Sequence, residues 1–154
     1  MRLYLTQMSD PLIVRATATD YPELISVWEA SVRATHHFLS EADIQAYKRL
    51  ILTKSFDSMQ LYCIKAEDII TSFIGVDKEL LLLLFIHPDW RGKGVGKILL
   101  RYATEDLSVT EVDVNEQNKQ ALGFYYHMGF ELIERFEHDS IGKPYPVLTM
   151  ALKS

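Results

Sequence analysis

The chain has 154 residues, 48% of them hydrophobic and 24% charged. At that length one domain can bury roughly 70% of the surface its unfolded form exposes. The formal net charge of −5 works against polyanions, and the only basic concentration is one short cluster, so nucleic acid is excluded as a partner class. A single cysteine, Cys63, in an apolar stretch rules out a disulfide framework and a multi-thiolate metal site and reads as a small buried thiol. The N-terminal "MRLYLTQMSDPLIV" lacks the apolar core and cleavage site of a signal peptide, and the longest apolar run, Leu80 to Ile86, is far shorter than the roughly 20 residues of a membrane span. The expectation is one cytoplasmic domain over 1–154, with no membrane partner.

"PLIVRAT" supplies a short β-branched strand. "ATDYPELISVWEASVRATHHFL" then offers Thr19 or Asp20 as a cap, Pro22 in a first turn, and Leu24, Val27, Trp28, Ser31 and Val32 at helical spacing. In "LSEADIQAYKRLIL", Ser40 stands three residues before Asp43, a weaker relative of the capping box, and Ile44, Tyr47 and Ile51 share a face, which predicts a second, shorter helix. The period changes in "LYCIKAEDIITSFIGVDKELLLLLFI", where apolar segments divided by "ED" and "DK" predict three antiparallel strands. The third has no polar alternation, as expected of a strand covered on both faces, and His87-Pro88 ends it too early for a helix. "VGKILLRYATEDL" returns to helical spacing, "TEVDVN" alternates as a strand, and "NKQALGFYYHMGF" reads as a helix stopped by Gly129. "FELIERFEHD" and "YPVLTMAL" are strands joined by the turn "SIGKPYP". The order is strand, two helices, three strands, helix, strand, helix, two strands: one mixed α/β domain.

Between the apolar third strand and the next helix lies "HPDWRGKGVGKILL". A glycine-rich turn that opens a helix aims unpaired backbone N–H groups and the positive end of the helix dipole at one point, which suits a phosphate. Gly92, Gly94 and Gly96 take Cβ atoms out of the way, and Arg91, Lys93 and Lys97 add charge. Spacing narrows the ligand. A triphosphate loop needs a glycine where Arg91 stands and a hydroxyl where Ile98 stands, so that loop is absent. The dinucleotide fingerprint fails as well, because the interval from Gly94 to Gly96 is wrong and no early βαβ unit surrounds it.

Arg91-x-x-Gly94-x-Gly96 after an apolar strand, followed downstream by Asn118-x-x-Ala121-x-x-x-Tyr125-x-x-x-Gly129-Phe130, resembles the GNAT superfamily of acetyl-CoA-dependent N-acetyltransferases. "ATHHFLS", "DVNEQNKQALGFY" and "GKPYPVL" resemble its YjaB-type bacterial branch. The resemblance covers almost the whole chain. It implies an α/β (α+β) fold with a mixed, mostly antiparallel sheet of about seven strands, about four flanking helices, and a splay between the fourth and fifth strands. It implies acetyl-CoA as co-substrate, no metal, and an amine acceptor that is a small molecule or a protein lysine. A homodimer is left open.

The same resemblance implies roles. The backbone of Leu84, Phe85 and Ile86 would pair with the pantetheine amides as an added strand, one N–H also meeting the thioester oxygen. Arg91, Gly92, Lys93, Gly94, Val95, Gly96 and Lys97 would hold the pyrophosphate. Asn118 would cap its helix and reach the pantetheine arm. Tyr125 would be the acid that protonates the departing thiolate. Asp113 stands where related enzymes carry a catalytic carboxylate, with Glu116 and His36 or His37 as competing bases. Trp28, His36, Phe38 and Tyr145 would line the acceptor side. The adjacent His36-His37 pair does not read as a metal site, since neighbours on a helix point about 100° apart. The alternative from another class is a coenzyme A-binding module that has lost catalysis.

Overall fold

A computed structural model describes residues 12–154. Most of the N-terminal segment weighed above as a leader, residues 1–11, lies outside them. β1 (Ile13–Arg15) leads into α1 (Tyr21–Thr35) and α2 (Glu41–Leu50). β2 (Gln60–Ala66), β3 (Ile69–Asp77) and β4 (Leu80–Ile86) follow, then α3 (Val95–Asp106), β5 (Glu111–Asn115), α4 (Lys119–His127), β6 (Phe130–Phe136) and β7 (Val147–Leu152). This is the order the sequence predicts. No described helix is long and apolar enough to cross a membrane.

The local signals act much as their chemistry requires. Ser40 Oγ accepts the Asp43 N–H at 3.1 Å and starts α2, and Gly129, at φ +95°, takes the left-handed position that ends α4. Asp20 behaves differently from expectation. Its carboxylate accepts the Thr17 N–H at 2.9 Å, closing the single 3-10 turn ahead of α1 rather than capping α1 itself.

The strands form one sheet in the order β1-β2-β3-β4-β5-β7-β6, antiparallel everywhere except β4–β5. Each face carries a core. On one, Leu24, Val27, Trp28 and Val32 of α1 and Ile44 of α2 pack with Cys63 and Phe73; on the other, Leu99, Leu100 and Ala103 of α3 and Tyr125 of α4 pack with Leu81, Val112 and Met150. Cys63 is fully buried, and burial raises its thiol pKa, so it is an inert core residue.

β4 departs from expectation. Its Leu run is not covered on both faces: Leu81 alone is fully buried, while Leu82 to Ile86 are half-exposed. The cause is the neighbour it loses. β4 and β5 pair only at Leu80–Glu111 and Leu81–Val112, after which the strands diverge and leave a cleft.

Candidate active site

β4 stays paired with β3 along its length, through Leu84–Ile74, Phe85–Phe73 and Ile86–Ser72. Just beyond, the His87 N–H donates to the Thr71 carbonyl at 2.8 Å. Backbone groups alternate sides along a strand, so Phe85 turns its N–H and C=O toward Phe73 while Leu84 and Ile86 turn theirs into the gap left by β5. The three positions expected to offer backbone therefore divide. Leu84 and Ile86 present a free strand edge, and Phe85 enters the cleft with its ring.

The turn after β4 sits at the open end of that gap. Gly92 and Gly94 have φ +76° and +80°, and a Cβ on either would meet nothing within 4 Å. They are there for backbone conformation, with Gly94 as the N-cap of α3. Gly96 serves close packing instead, since its Cβ would lie 3.3 Å from Ile86 Cδ1. The first α3 bond runs from the Ile98 N–H to the Gly94 carbonyl, so the amides of Val95, Gly96 and Lys97 have no partner within the helix. Arg91 and Lys97 line the same space, and the Arg91 guanidinium donates to Gln120 Oε1. Two expected side chains turn away. Lys93 Nζ lies 5.2 Å from the centroid of the Trp90 ring, and the Val95 side chain is in the core, so these residues offer only backbone to the cleft.

These groups border a cavity of about 300 Å³ that Asn118 and Tyr125 close on the α4 side. Asn118 Oδ1 accepts the Ala121 N–H at 3.3 Å as the helix cap, which leaves its NH₂ as donor. Tyr125 packs edge-on to Phe130, with centroids 5.8 Å apart, and burial raises its pKa well above the ordinary phenol value. Its hydroxyl therefore stays protonated at neutral pH. Among the described residues that hydroxyl has no hydrogen-bond partner, and no buried side-chain nitrogen or oxygen is left unpartnered, so it must open onto the cavity it lines. Tyr126, the next residue, is exposed.

A second cavity, of about 660 Å³, lies toward α1 and α2. Trp28 and Asp113 line it, and Asp113 Oδ1 accepts the Thr149 hydroxyl at 2.7 Å. His36 and Phe85 border both cavities and so form the wall they share. Phe38 and Tyr145, expected to line this arm, border neither cavity; Phe38 sits between His36 and Tyr145 with its ring tilted to both, at 5.3 and 5.9 Å between centroids. The geometry is that of a two-armed cleft, one arm lined by backbone donors and cations, the other by aromatic rings and a carboxylate.

The acetyltransferase (GNAT) domain family matches residues 24–143. The chain belongs to the GNAT family.

This GNAT enzyme is an N-acetyltransferase by family and is 38% identical to the peptidyl-lysine N-acetyltransferase YjaB of Salmonella typhimurium, over 90% of its own length and 95% of that protein. Its fold is similar to the apo-form YjaB of Escherichia coli, with a TM-score of 0.83, 37% identity, and coverage of 92% of this chain and 97% of that one. It is also similar in fold to the PaiA N-acetyltransferase of Thermoplasma acidophilum in complex with coenzyme A, with a TM-score of 0.72, 22% identity, and coverage of 91% and 98%.

Of the residues singled out in the GNAT enzyme's sequence, one is spent elsewhere. Glu116 forms a bidentate pair with Arg135, at 2.6 and 3.2 Å, which lowers its pKa and weakens it as a base; it borders neither cavity. His37 is exposed and borders neither cavity. The sequence reading missed Thr35 and Gln120, which line the first cavity, and Tyr47 and Asp139, which line the second. Tyr47 and Asp139 are 92 positions apart and carry no local signal.

Proposed function

We propose that the enzyme transfers the acetyl group of acetyl-CoA to a primary amine, a lysine side chain of a protein being the acceptor class, by direct attack with both substrates bound. The observation that carries this reading is that His36 and Phe85 line both cavities, so a donor lying along β4 and an acceptor lying past Asp113 would approach each other across these two side chains. The acceptor class follows the peptidyl-lysine activity of the Salmonella relative and suits an arm with aromatic walls and a carboxylate, which takes an alkyl stem ending in an ammonium.

The roles follow from the groups available. The α3 amides, Arg91 and Lys97 meet the pyrophosphate. Leu84 and Ile86 pair with the pantetheine amides, and one of their N–H groups stabilises the oxyanion that forms when the amine attacks. Asn118 adds a donor along the same arm. Tyr125 gives its proton to the departing thiolate, a role its protonated state at neutral pH permits. Asp113 meets the ammonium in the second cavity.

The test is release of free thiol from acetyl-CoA in the presence of a lysine-containing peptide, with mass spectrometry of the peptide. A gain of one acetyl group on the lysine ε-nitrogen, matched by an equal yield of thiol, is expected. Tight coenzyme A binding without thiol release over a panel of amines and peptides would overturn the reading in favour of a binding module.

A further inference from the structure

The reading above leaves one proton without a destination. An attacking amine must lose a proton from nitrogen as the new bond forms; Tyr125 donates, Glu116 is paired to Arg135, and Asp113, which already accepts the Thr149 hydroxyl, borders the second cavity alone, where it meets the incoming ammonium. The end of α1 holds a chain of groups that can receive the proton. The Thr35 hydroxyl donates to the Ser31 carbonyl at 2.8 Å, and Ser31 is buried. Thr35 Oγ1 also lies 2.7 Å from His36 Nδ1. A hydroxyl has one proton, and a carbonyl cannot donate one. Thr35 Oγ1 can therefore only accept from His36, so the neutral ring carries its proton on Nδ1 and its lone pair on Nε2.

Nε2 has no hydrogen-bond partner among the described residues, and no buried side-chain nitrogen is left unpartnered, so it is solvent-accessible, on a side chain that lines both cavities. The ring stands in the wall shared by the two cavities, tilted against Phe85 at 6.3 Å and Phe38 at 5.3 Å. We propose that His36 Nε2 accepts the proton of the attacking amine and that Thr35 is the positioning residue that fixes the tautomer in which it can do so. This rests on the acetyl-transfer reading and adds the group that completes its proton balance.

The magnitudes say which proton. Burial, and secondarily the neighbouring His37, lowers the His36 pKa to about 4, so the ring is neutral over the working range. A free alkylammonium near 10.4 is roughly a million-fold too weak an acid to yield its proton to such a ring. His36 thus does not free the amine; that first proton leaves to water through the second cavity. The second proton becomes strongly acidic once nitrogen is bonded to the thioester carbon, and this is the one Nε2 takes. The C–N bond forms from the nitrogen lone pair, the C–S bond breaks, and the thiolate takes the Tyr125 proton. Afterwards His36 releases its proton to water and Tyr125 regains one. The other charged and titratable groups around the ring are His37 beside it, Arg91, Lys97 and Tyr125 across the first cavity, Tyr47, Asp113, His138 and Asp139 across the second, and Tyr145 behind Phe38.

Two measurements test this. Nitrogen-15 NMR of the imidazole in the unliganded protein reads the tautomer directly: a proton on Nδ1 of His36 is expected, and a proton on Nε2 would overturn the proposal whether or not an acceptor is known. In steady-state assays, His36→Ala should lower kcat about 100-fold with little change in KM for acetyl-CoA, and added imidazole should restore part of the loss. Thr35→Val should lower kcat about 10-fold, with Thr35→Ser restoring it. A His36→Ala enzyme with wild-type kcat, or one that imidazole does not rescue, overturns the proposal while leaving acetyl transfer by the wild-type chain intact. Failure of the wild-type chain to transfer acetyl at all would fall on the earlier reading instead.

Discussion

Tyr125 is the residue at which packing and chemistry coincide. Its ring belongs to the core between the sheet and α4, against Phe124 and Phe130, while its hydroxyl opens onto the donor cavity. Removing only the hydroxyl should leave the packing in place, so Tyr125→Phe is expected to lower kcat about 100-fold while the Kd for coenzyme A, measured by calorimetry, stays the same. An unchanged kcat at saturating acceptor would take Tyr125 out of the reaction. His36 gives a second residue-scale expectation, this one on stability. The folded chain keeps it neutral down to about pH 4, whereas its ordinary value is 6.5. Between those values the unfolded chain binds the extra proton, so stability is lost as pH falls from about 6.5 toward 4 and levels off below. The gap corresponds to at most about 3 kcal/mol. Urea midpoints of wild type and His36→Gln should therefore differ in slope across that window and run parallel above pH 7.

At the scale of elements, the glycine turn joins a strand that has lost its neighbour to a helix whose first amides are unpaired. Gly94 holds φ +80° with open space around it, so Gly94→Ala meets no steric clash but must adopt a left-handed conformation costing roughly 1 kcal/mol. A melting temperature about 2–4 °C lower is expected, with weaker coenzyme A binding because the α3 amides are displaced. Equal affinity for the two proteins would mean that the turn does not hold the cofactor phosphates. Gly96→Val should act through contact instead, pressing on Ile86 and closing the cavity, and should weaken coenzyme A binding with the larger loss. Much of this was legible in the sequence because turns, caps and helical faces are encoded locally: Ser40, Gly129 and the spacing of α3 all do what their positions predict. What was not legible depends on neighbours far along the chain. The Leu run of β4 looks like a strand buried on both faces, and only the divergence of β5 after Leu81–Val112 exposes it. Likewise, which of Leu84, Phe85 and Ile86 offers its backbone depends on the hydrogen-bond phase set against β3.

For the whole molecule, the acceptor arm is closed by a link between parts of the chain that are remote in sequence. The loop between β6 and β7 is shaped by Asp139, whose Oδ1 accepts the Ile141 and Lys143 amides at 3.1 and 2.9 Å, and whose Oδ2 accepts the Tyr47 hydroxyl of α2. Tyr145 donates to Asp43 of α2, and Lys143 Nζ lies 2.9 Å from the same carboxylate, holding the Asp43 pKa below its ordinary value. Two tyrosines and a lysine thus tie the loop to α2, next to a cavity that Tyr47 and Asp139 themselves line. None of these groups lines the donor arm, which is built from β4, the glycine turn, α4 and the end of α1. The two halves of the site should therefore respond separately to mutation. Replacing both hydroxyls, with Tyr47→Phe and Tyr145→Phe together, removes the hydrogen bonds to Asp139 and to the solvent-screened Asp43. The loop should loosen, and KM for a lysine peptide should rise about 3- to 10-fold, while the Kd for coenzyme A stays within twofold of wild type. Parallel losses on both substrates would mean that the cleft folds as one unit and that the clasp supports the whole site. A selective loss on the peptide would show that the clasp sets the acceptor affinity alone, although His36 and Phe85 are common to both arms.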